Sequence, residues 1–505
     1  MRLPTKTISQ LAAGVPGATV LRGGEYKVRR VMQDSRQATA GDLFVARRGL
    51  RRDGHDFAAE VAERGAAVAG ERELPLPPNT PIIQVEDGDC GLAELAAEFY
   101  DRPARQMLIA GVTGTDGKTT VTHLAAHLLN SAGFPTGFLS TAANDSGDGA
   151  CYNHSGQSTM ESPDVQRALA EMLANGRRAV VIEATSHALS QSRVAACDFD
   201  VAAYTHIGSD HLDYHPTWEA YVEAKATLLD LCREGWPKGV VKSGVINRAD
   251  RAYAHLVQRS IPRRYIYALE GEAELCAQNI VLDPDSSSFT LTAGGEQIPV
   301  RLPLPARFNV ANALCAAGIG LAMGLSLAQV ANGLSSFSGV PGRLEQVQLG
   351  QPFVVYIDYA HSASALVSTL AELRGLIPGR LLLLFGSSAR SDHDSPGMGR
   401  AAVSGADWSV ITTDDPVDQD PAWLAAQVEA GAVAAGGVRG RDYEIELDRR
   451  VAIRHALSLA RSGDIVLLAG KGHEQSMMLA NGRREPWSER AEAEVALHEL
   501  MSRRS

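Results

Sequence analysis

Between Met107 and Thr120 the chain runs from apolar residues through a glycine-spaced turn into a Lys-Thr-Thr triplet, MLIAGVTGTDGKTT. Few folds accommodate that order. A continuous apolar run ending in glycine reads as a strand buried on both faces of a parallel sheet, and residues 119–132 follow with helical spacing. Glycines let backbone N–H groups close around anionic oxygens, and the start of the helix adds its dipole. Residues 111–120 therefore read as a loop that cradles the phosphates of ATP. It comprises Gly114, Thr115, Asp116, Gly117, Lys118, Thr119 and Thr120, with Lys118 reaching the outer phosphates and the Thr119 hydroxyl facing Mg²⁺. The generic GxxxxGK[ST] spacing is not met, because Val112 stands at its first glycine; the spacing here is Gly111, Gly114, Gly117, Lys118.

The same grammar continues on both sides. Helix-like 165–175, strand-like 179–182 and 199–204, and helix-like 218–229 alternate, the signature of a parallel sheet with helices on both faces. Beyond Val340-Pro341-Gly342 the apolar runs 354–359, 381–385, 408–412 and 465–469 alternate with helical stretches such as 449–460, a second α/β unit. The first hundred residues carry short apolar runs broken by turns, closed by a helix-like segment at 92–100 before Arg102-Pro103. The expectation is an α/β fold of three domains, 1–104, 105–339 and 340–505, within the roughly two to four that 505 residues imply.

A net charge of −11 with no basic block argues against nucleic-acid or anionic-membrane binding. The six cysteines are scattered with no CxxC pair, which reads as reduced thiols in a cytoplasmic protein. The N-terminus lacks the apolar core of a signal peptide, and no window approaches the roughly 20 apolar residues of a membrane span.

Further residues carry chemistry. Glu183 ends an apolar run, and a carboxylate at the carboxyl end of a parallel strand sits where ligands of such sheets bind and could complete Mg²⁺ coordination. His211 follows the run ending near Thr205. Lys225, taken alone, is a helix lysine expected in solvent. Arg193 is a cation suited to a carboxylate or pyrophosphate.

From Asp34-Ser35-Arg36 through GVTGTDGKTT to Gly470-Lys471-Gly472-His473-Glu474 the motifs run in series, and the chain resembles the Mur ligase superfamily, its UDP-N-acetylmuramoyl-tripeptide synthetase type. That resemblance implies an N-terminal UDP-binding α/β domain, a central phosphate-loop ATPase domain with a mostly parallel sheet, and a C-terminal Rossmann-like amino-acid domain. It implies Mg²⁺ held by Thr119, Glu183, His211 and Lys225, the last carbamylated on Nζ, with Lys118, Glu183, His211 and Lys225 as the catalytic set. Asn309 and Asn312 resemble adenine contacts, and Arg343, Asp358 and His361 resemble ribose and phosphate contacts. Because these lie in two domains, domain closure is expected to assemble the site. Ser35, Ser158, Thr159, Thr185, Gln191 and Arg193 resemble the contacts of the UDP-muramoyl-peptide.

The implied reaction is ATP-dependent addition of a basic amino acid to UDP-N-acetylmuramoyl-L-alanyl-D-glutamate through an acyl phosphate, in peptidoglycan precursor synthesis. The expected partners are small molecules alone, and the expected state is a monomer. The amino-acid pocket, at Arg390, Asp414, Asp415, Gly470 and Glu474, departs from the family. The diaminopimelate type carries D-N-P-R where this chain reads Asp414-Asp415-Pro416-Val417, removing a bidentate partner for a distal carboxylate and favouring lysine or ornithine. The arginine that grips the α-carboxylate falls at Ser391, with Arg390 adjacent, and Ala306 stands at a usual glycine. The alternatives are another ligase of the superfamily with a different amine acceptor, or a non-catalytic paralogue that binds nucleotide or UDP-muropeptide.

Overall fold

The computed structural model describes residues 4–49, 52–153, 155–208, 214–376, 378–389 and 394–504. Two compact units emerge, one comprising residues up to 275 with 314–333, the other 276–313 with 334 onward.

The first unit holds two larger sheets and a two-stranded one that pairs Lys6–Thr7 with Lys27–Val28. In the N-terminal sheet the strands run in the order Thr19–Arg22, Ile82–Gln84, Ala67–Gly70, Asp42–Val45, Arg30–Met32, all parallel except the first. Asp42–Val45 and Ala67–Gly70 are buried throughout, because helices and loops cover both faces. The helix that follows the sheet is Gly88–Phe99, begun by the Asp87 carboxylate on the Cys90 N–H at 2.7 Å.

Eight further strands of this unit lie in the order Cys151–Tyr152, Ala143–Asp145, Thr136–Leu139, Ala179–Glu183, Leu108–Thr113, Val201–Tyr204, Ser243–Asn247, Arg263–Ala268. From Thr136–Leu139 onward they are parallel. The chain leaves Leu108–Thr113 toward one edge and later reaches Val201–Tyr204 on the other side, so a crevice opens at the carboxyl end of Leu108–Thr113. The register pairs Glu183 with Val112 and thereby brings a carboxylate to that end. The opposite end is pinned by fully buried Asp200, whose carboxylate accepts from Ile109 N at 2.8 Å and pairs with Lys238 at 2.7 Å and Lys242 at 3.0 Å.

In the second unit a hairpin of Ser286–Ala293 and Glu296–Leu302 precedes a six-stranded sheet. Its order is Glu345–Val347, Val354–Asp358, Ile465–Ala469, Leu381–Ser387, Trp408–Thr413, Tyr443–Ile445, parallel except for the first strand. Apolar clusters cover both faces, one built on Leu366, Leu383 and Val428, the other on Leu384, Ile453 and Leu497. The α/β reading holds. The sequence-derived strands fall within one to three residues of the observed ones, and the helix expected at 218–229 extends over Trp218–Glu234. All six cysteines are free.

Candidate active site

Strand Leu108–Thr113 delivers the chain into the glycine loop. At Gly114 (φ 154°) a Cβ would lie 1.9 Å from Thr205 Oγ1 and 2.9 Å from the His206 carbonyl oxygen, so only glycine fits. Gly117 (φ 82°) is the left-handed residue that opens helix Lys118–Ser131, and no side-chain oxygen caps it, which leaves that helix end to an anion. Lys118 Nζ donates to Thr115 O at 2.7 Å, curling back over the loop. Thr205 Oγ1 donates to Asp116 O at 2.6 Å, and the Thr115 hydroxyl lies 3.0 Å from Tyr221 Oη. Beside the loop, His206 Nδ1 pairs with Asp250 at 3.0 Å, and that hydrogen bond raises the imidazole above its usual pKa despite burial.

Glu183 is 2% exposed and fully engaged. Its Oε2 accepts from Thr119 Oγ1 at 3.0 Å and Thr141 N at 2.9 Å, and its Oε1 from Thr141 Oγ1 at 2.9 Å. A hydroxyl and a carboxylate in contact are hard oxygen donors, and they fit Mg²⁺. Lys225 corrects the solvent-facing expectation for an isolated helix lysine: it is 1% exposed. Its Nζ donates to Gly114 O at 2.7 Å and stands 4.3 Å from the Tyr221 ring centroid. The signal was present, since Tyr221, Lys225 and Leu229 recur at i, i+4 and i+8 on the buried face of one helix. His211 lies outside the described residues.

The residues expected at the muramoyl-peptide gather at the same strand ends. Thr159 Oγ1 donates to Glu183 O at 2.7 Å and accepts from Thr185 N at 3.1 Å. Arg193 Nη1 donates to Thr159 O at 3.0 Å, and its Nε donates to Gln191 Oε1 at 3.0 Å. Ser158 adjoins them, half-buried. Ser35 stands in the N-terminal sheet's loops, its carbonyl taking the Arg64 guanidinium.

In the second unit, Asn309 and Asn312 are buried one turn apart on helix Arg307–Ala322, the Asn312 amide donating to Asn309 Oδ1 at 3.1 Å. Arg343, His361 and His473 surround the Tyr359 ring at 4.6, 4.5 and 4.8 Å. Asp358 accepts from Leu344 N and Ala360 N, both at 2.8 Å. Tyr359 was not singled out from the sequence, although it lies inside the Asp358-Tyr359-Ala360-His361 motif.

Strands Trp408–Thr413 and Ile465–Ala469 carry, at their carboxyl ends, the residues expected at the amino acid. Carboxylate oxygens of Asp414, Asp415 and Glu474 lie within 4.8 Å of one another. Among them sits Lys471, fully buried, its ammonium on Asp415 at 2.8 Å, on Glu474, and 3.8 Å from Asp414. Burial would lower the Lys471 pKa, but the three carboxylates hold it above its usual value. Burial in turn raises the Glu474 carboxyl, against the pull of Lys471. Gly470 (φ 106°) has no room for a side chain, since a Cβ would come 2.6 Å from Asp414 Oδ2. Arg390 and Ser391 lie outside the described residues. Lys471, the buried counter-charge, was also not chosen from the sequence, although it stands in the Gly470-to-Glu474 motif.

A glycine loop, a lysine and a buried carboxylate at the carboxyl ends of a parallel sheet define the phosphate-loop class of nucleotide-binding α/β proteins. The Mur ligase middle domain matches residues 112–320, the Mur ligase family catalytic domain residues 27–100, and the Mur ligase glutamate ligase domain residues 342–472. The chain is 36% identical over 496 residues to UDP-N-acetylmuramoyl-L-alanyl-D-glutamate--2,6-diaminopimelate ligase of Geobacillus thermodenitrificans (strain NG80-2), covering 97% of this chain and 99% of that one. It is 39% identical over 490 residues to UDP-N-acetylmuramyl-tripeptide synthetase of Roseiflexus sp. (strain RS-1), covering 94% and 95%. A solved UDP-N-acetylmuramoyl-L-alanyl-D-glutamate--2,6-diaminopimelate ligase matches with a TM-score of 0.70 at 27% identity over 99% of this chain and 100% of that one. The fold is also that of the MurF ligase from Thermotoga maritima in complex with ADP, with a TM-score of 0.62 at 18% identity over 95% and 99%. The chain belongs to the Mur ligase family.

Proposed function

We propose that the chain is an ATP-dependent ligase that joins a diamino acid to UDP-N-acetylmuramoyl-L-alanyl-D-glutamate in peptidoglycan precursor synthesis. The observation that carries this is the buried Glu183 carboxylate, held by Thr119 and Thr141 against the phosphate loop that Lys225 braces, in a chain spanning nearly all of relatives named for that reaction.

A glutamyl carboxylate oxygen attacks the γ-phosphorus, the bond from that phosphorus to the β-phosphate oxygen breaks, and ADP leaves. The amine nitrogen then attacks the acyl carbon, loses a proton and expels phosphate with the C–O bonding pair. Phosphorylation is needed because a carboxylate is a poor electrophile. Lys118 offsets charge on the transferring phosphoryl group, and the loop N–H donors hold the remaining oxygens. Thr119, Glu183, His211 and Lys225 as its carbamate would hold Mg²⁺, which when bound neutralises phosphate charge. Thr159, Thr185, Gln191 and Arg193 orient the glutamyl end beside Glu183. We assign the UDP-muramoyl part to residues 1–104, ATP to 105–339 and the amino acid to 340–505, in a cytoplasmic monomer.

Three carboxylates around one ammonium leave the pocket at Asp414, Asp415 and Glu474 negative, which suits a second, cationic amino group. Val417 supplies no guanidinium for a distal carboxylate, which favours lysine or ornithine. The test is phosphate release with ATP, UDP-muramoyl-L-alanyl-D-glutamate and lysine, ornithine or meso-diaminopimelate. Release is expected to be fastest with lysine or ornithine. Release with diaminopimelate alone would overturn the pocket reading, and release with none of the three would overturn the ligase itself.

A further inference from the structure

Four side chains near the muramoyl-peptide residues form a line of alternating charge, and three of them have no role in the reaction described above. Arg47 follows strand Asp42–Val45, and Asp89 lies in the first turn of helix Gly88–Phe99. Arg47 pairs with Asp89 at 2.9 Å and with Glu161 Oε2 at 3.0 Å, and Glu161 Oε1 pairs with Arg193 at 3.2 Å. The Arg47, Glu161 and Arg193 side chains are only 21%, 12% and 14% exposed.

Glu161 is placed oddly for this task. It is the residue preceding helix Ser162–Ala174, where a carboxylate ordinarily turns toward the helix N–H groups and gains from the dipole. Its side chain makes no capping hydrogen bond. It reaches away instead, each oxygen held by a different guanidinium, with Gln157 Nε2 a further 3.3 Å neighbour of Oε1. One of those guanidiniums also donates to Thr159 O, and the Thr159 hydroxyl is bonded to the Glu183 carbonyl. Thr159 thus links this arginine to the main chain of Glu183, whose carboxylate is proposed to hold the metal.

We propose that Glu161 is an internal stand-in for the substrate's carboxylate. It occupies Arg47 and Arg193 in the substrate-free chain and yields them when the glutamyl end of the muramoyl-dipeptide binds, Arg47 then serving as a second guanidinium for that end; this rests on the function proposed above. The exchange replaces one carboxylate with another, so neither arginine is left buried without a counter-charge, the arrangement that makes breaking such pairs costly. The displaced Glu161 has the first turn of its own helix as an alternative partner. A ligand lacking the glutamyl carboxylates offers nothing to exchange, and the internal pair then stays in place.

Calorimetric titration of the full chain with UDP-muramoyl-L-alanyl-D-glutamate, without ATP or amino acid, tests this. Glu161→Gln removes the competing charge and should tighten binding on the order of 3–10-fold, up to about one decade of Kd. The same variant titrated with UDP-muramoyl-L-alanine, which has the diphosphate but no glutamyl group, should bind as the wild type does. Arg47→Met should weaken binding of the glutamyl ligand and leave that of the alanyl ligand unchanged. Should Glu161→Gln fold poorly, the Arg47→Met pair of titrations decides alone. Equal or weaker binding by Glu161→Gln, equal tightening with both ligands, or no effect of Arg47→Met would overturn the inference while the wild type still binds. A wild type that binds neither ligand would instead overturn the proposed function beneath it.

Discussion

Lys225 lies in an environment far from what its type predicts. Its ammonium is buried, donates to the Gly114 carbonyl and faces the Tyr221 ring, while Glu183 reaches Thr119, in the first turn of the helix after the loop, from the neighbouring strand. Replacement by methionine keeps the volume and the helix while removing the nitrogen, so packing should survive. If the nitrogen carries the carbamate that completes the metal site, Lys225→Met should lower kcat by about 10²-fold or more with the melting temperature retained. Steady-state phosphate release checks this, and wild-type turnover would remove Lys225 from the catalytic set. The sequence exposed such residues unevenly. Lys118 and Glu183 were legible because a glycine loop and a strand end fix where they must stand. Thr141, Tyr359 and Lys471 were not chosen, because a threonine, a tyrosine or a lysine gains its role only from partners brought near by the fold, here Glu183, Arg343 and Asp415.

Strands were read closely because continuous apolar runs have one stable place, inside a parallel sheet covered on both faces. What such a run cannot disclose is register, and register is what puts Glu183 beside Val112. Turns tell a different story. Ala306, noted for replacing a usual glycine, is buried at φ 76°, and Val417 sits at φ 49° in the turn after strand Trp408–Thr413, its N–H donating to Met478 O at 3.1 Å. The left-handed region costs an L-residue roughly 1–2 kcal/mol and is worst for a β-branched one, whereas asparagine tolerates it. Val417→Asn should therefore stabilise the second unit by roughly 0.5–1 kcal/mol, read from the shift of its denaturant midpoint. A loss of stability would mean that the Val417 side chain contributes more packing than its backbone loses in strain.

At the scale of the whole molecule, each unit presents its candidate site residues at the carboxyl ends of a mostly parallel sheet, the place such sheets bind ligands. The phosphate loop, Glu183 and Lys225 belong to the first unit; Asp414, Asp415, Lys471 and Glu474 belong to the second. Among the described residues no helix is long and apolar enough to cross a membrane. The ATP half of the chemistry was legible in the sequence because phosphate binding needs a fixed local spacing. The amine half was less so, because it depends on charge summed over segments sixty residues apart. The central claim is that a glutamyl carboxylate is activated by phosphorylation. The most direct measurement supplies UDP-muramoyl-L-alanyl-D-glutamate labelled with ¹⁸O in its glutamyl carboxylates, with ATP and lysine, and weighs the released phosphate. One ¹⁸O per phosphate is the result predicted, since the acyl C–O bond breaks with that oxygen on phosphorus; amide formation with unlabelled phosphate would contradict it.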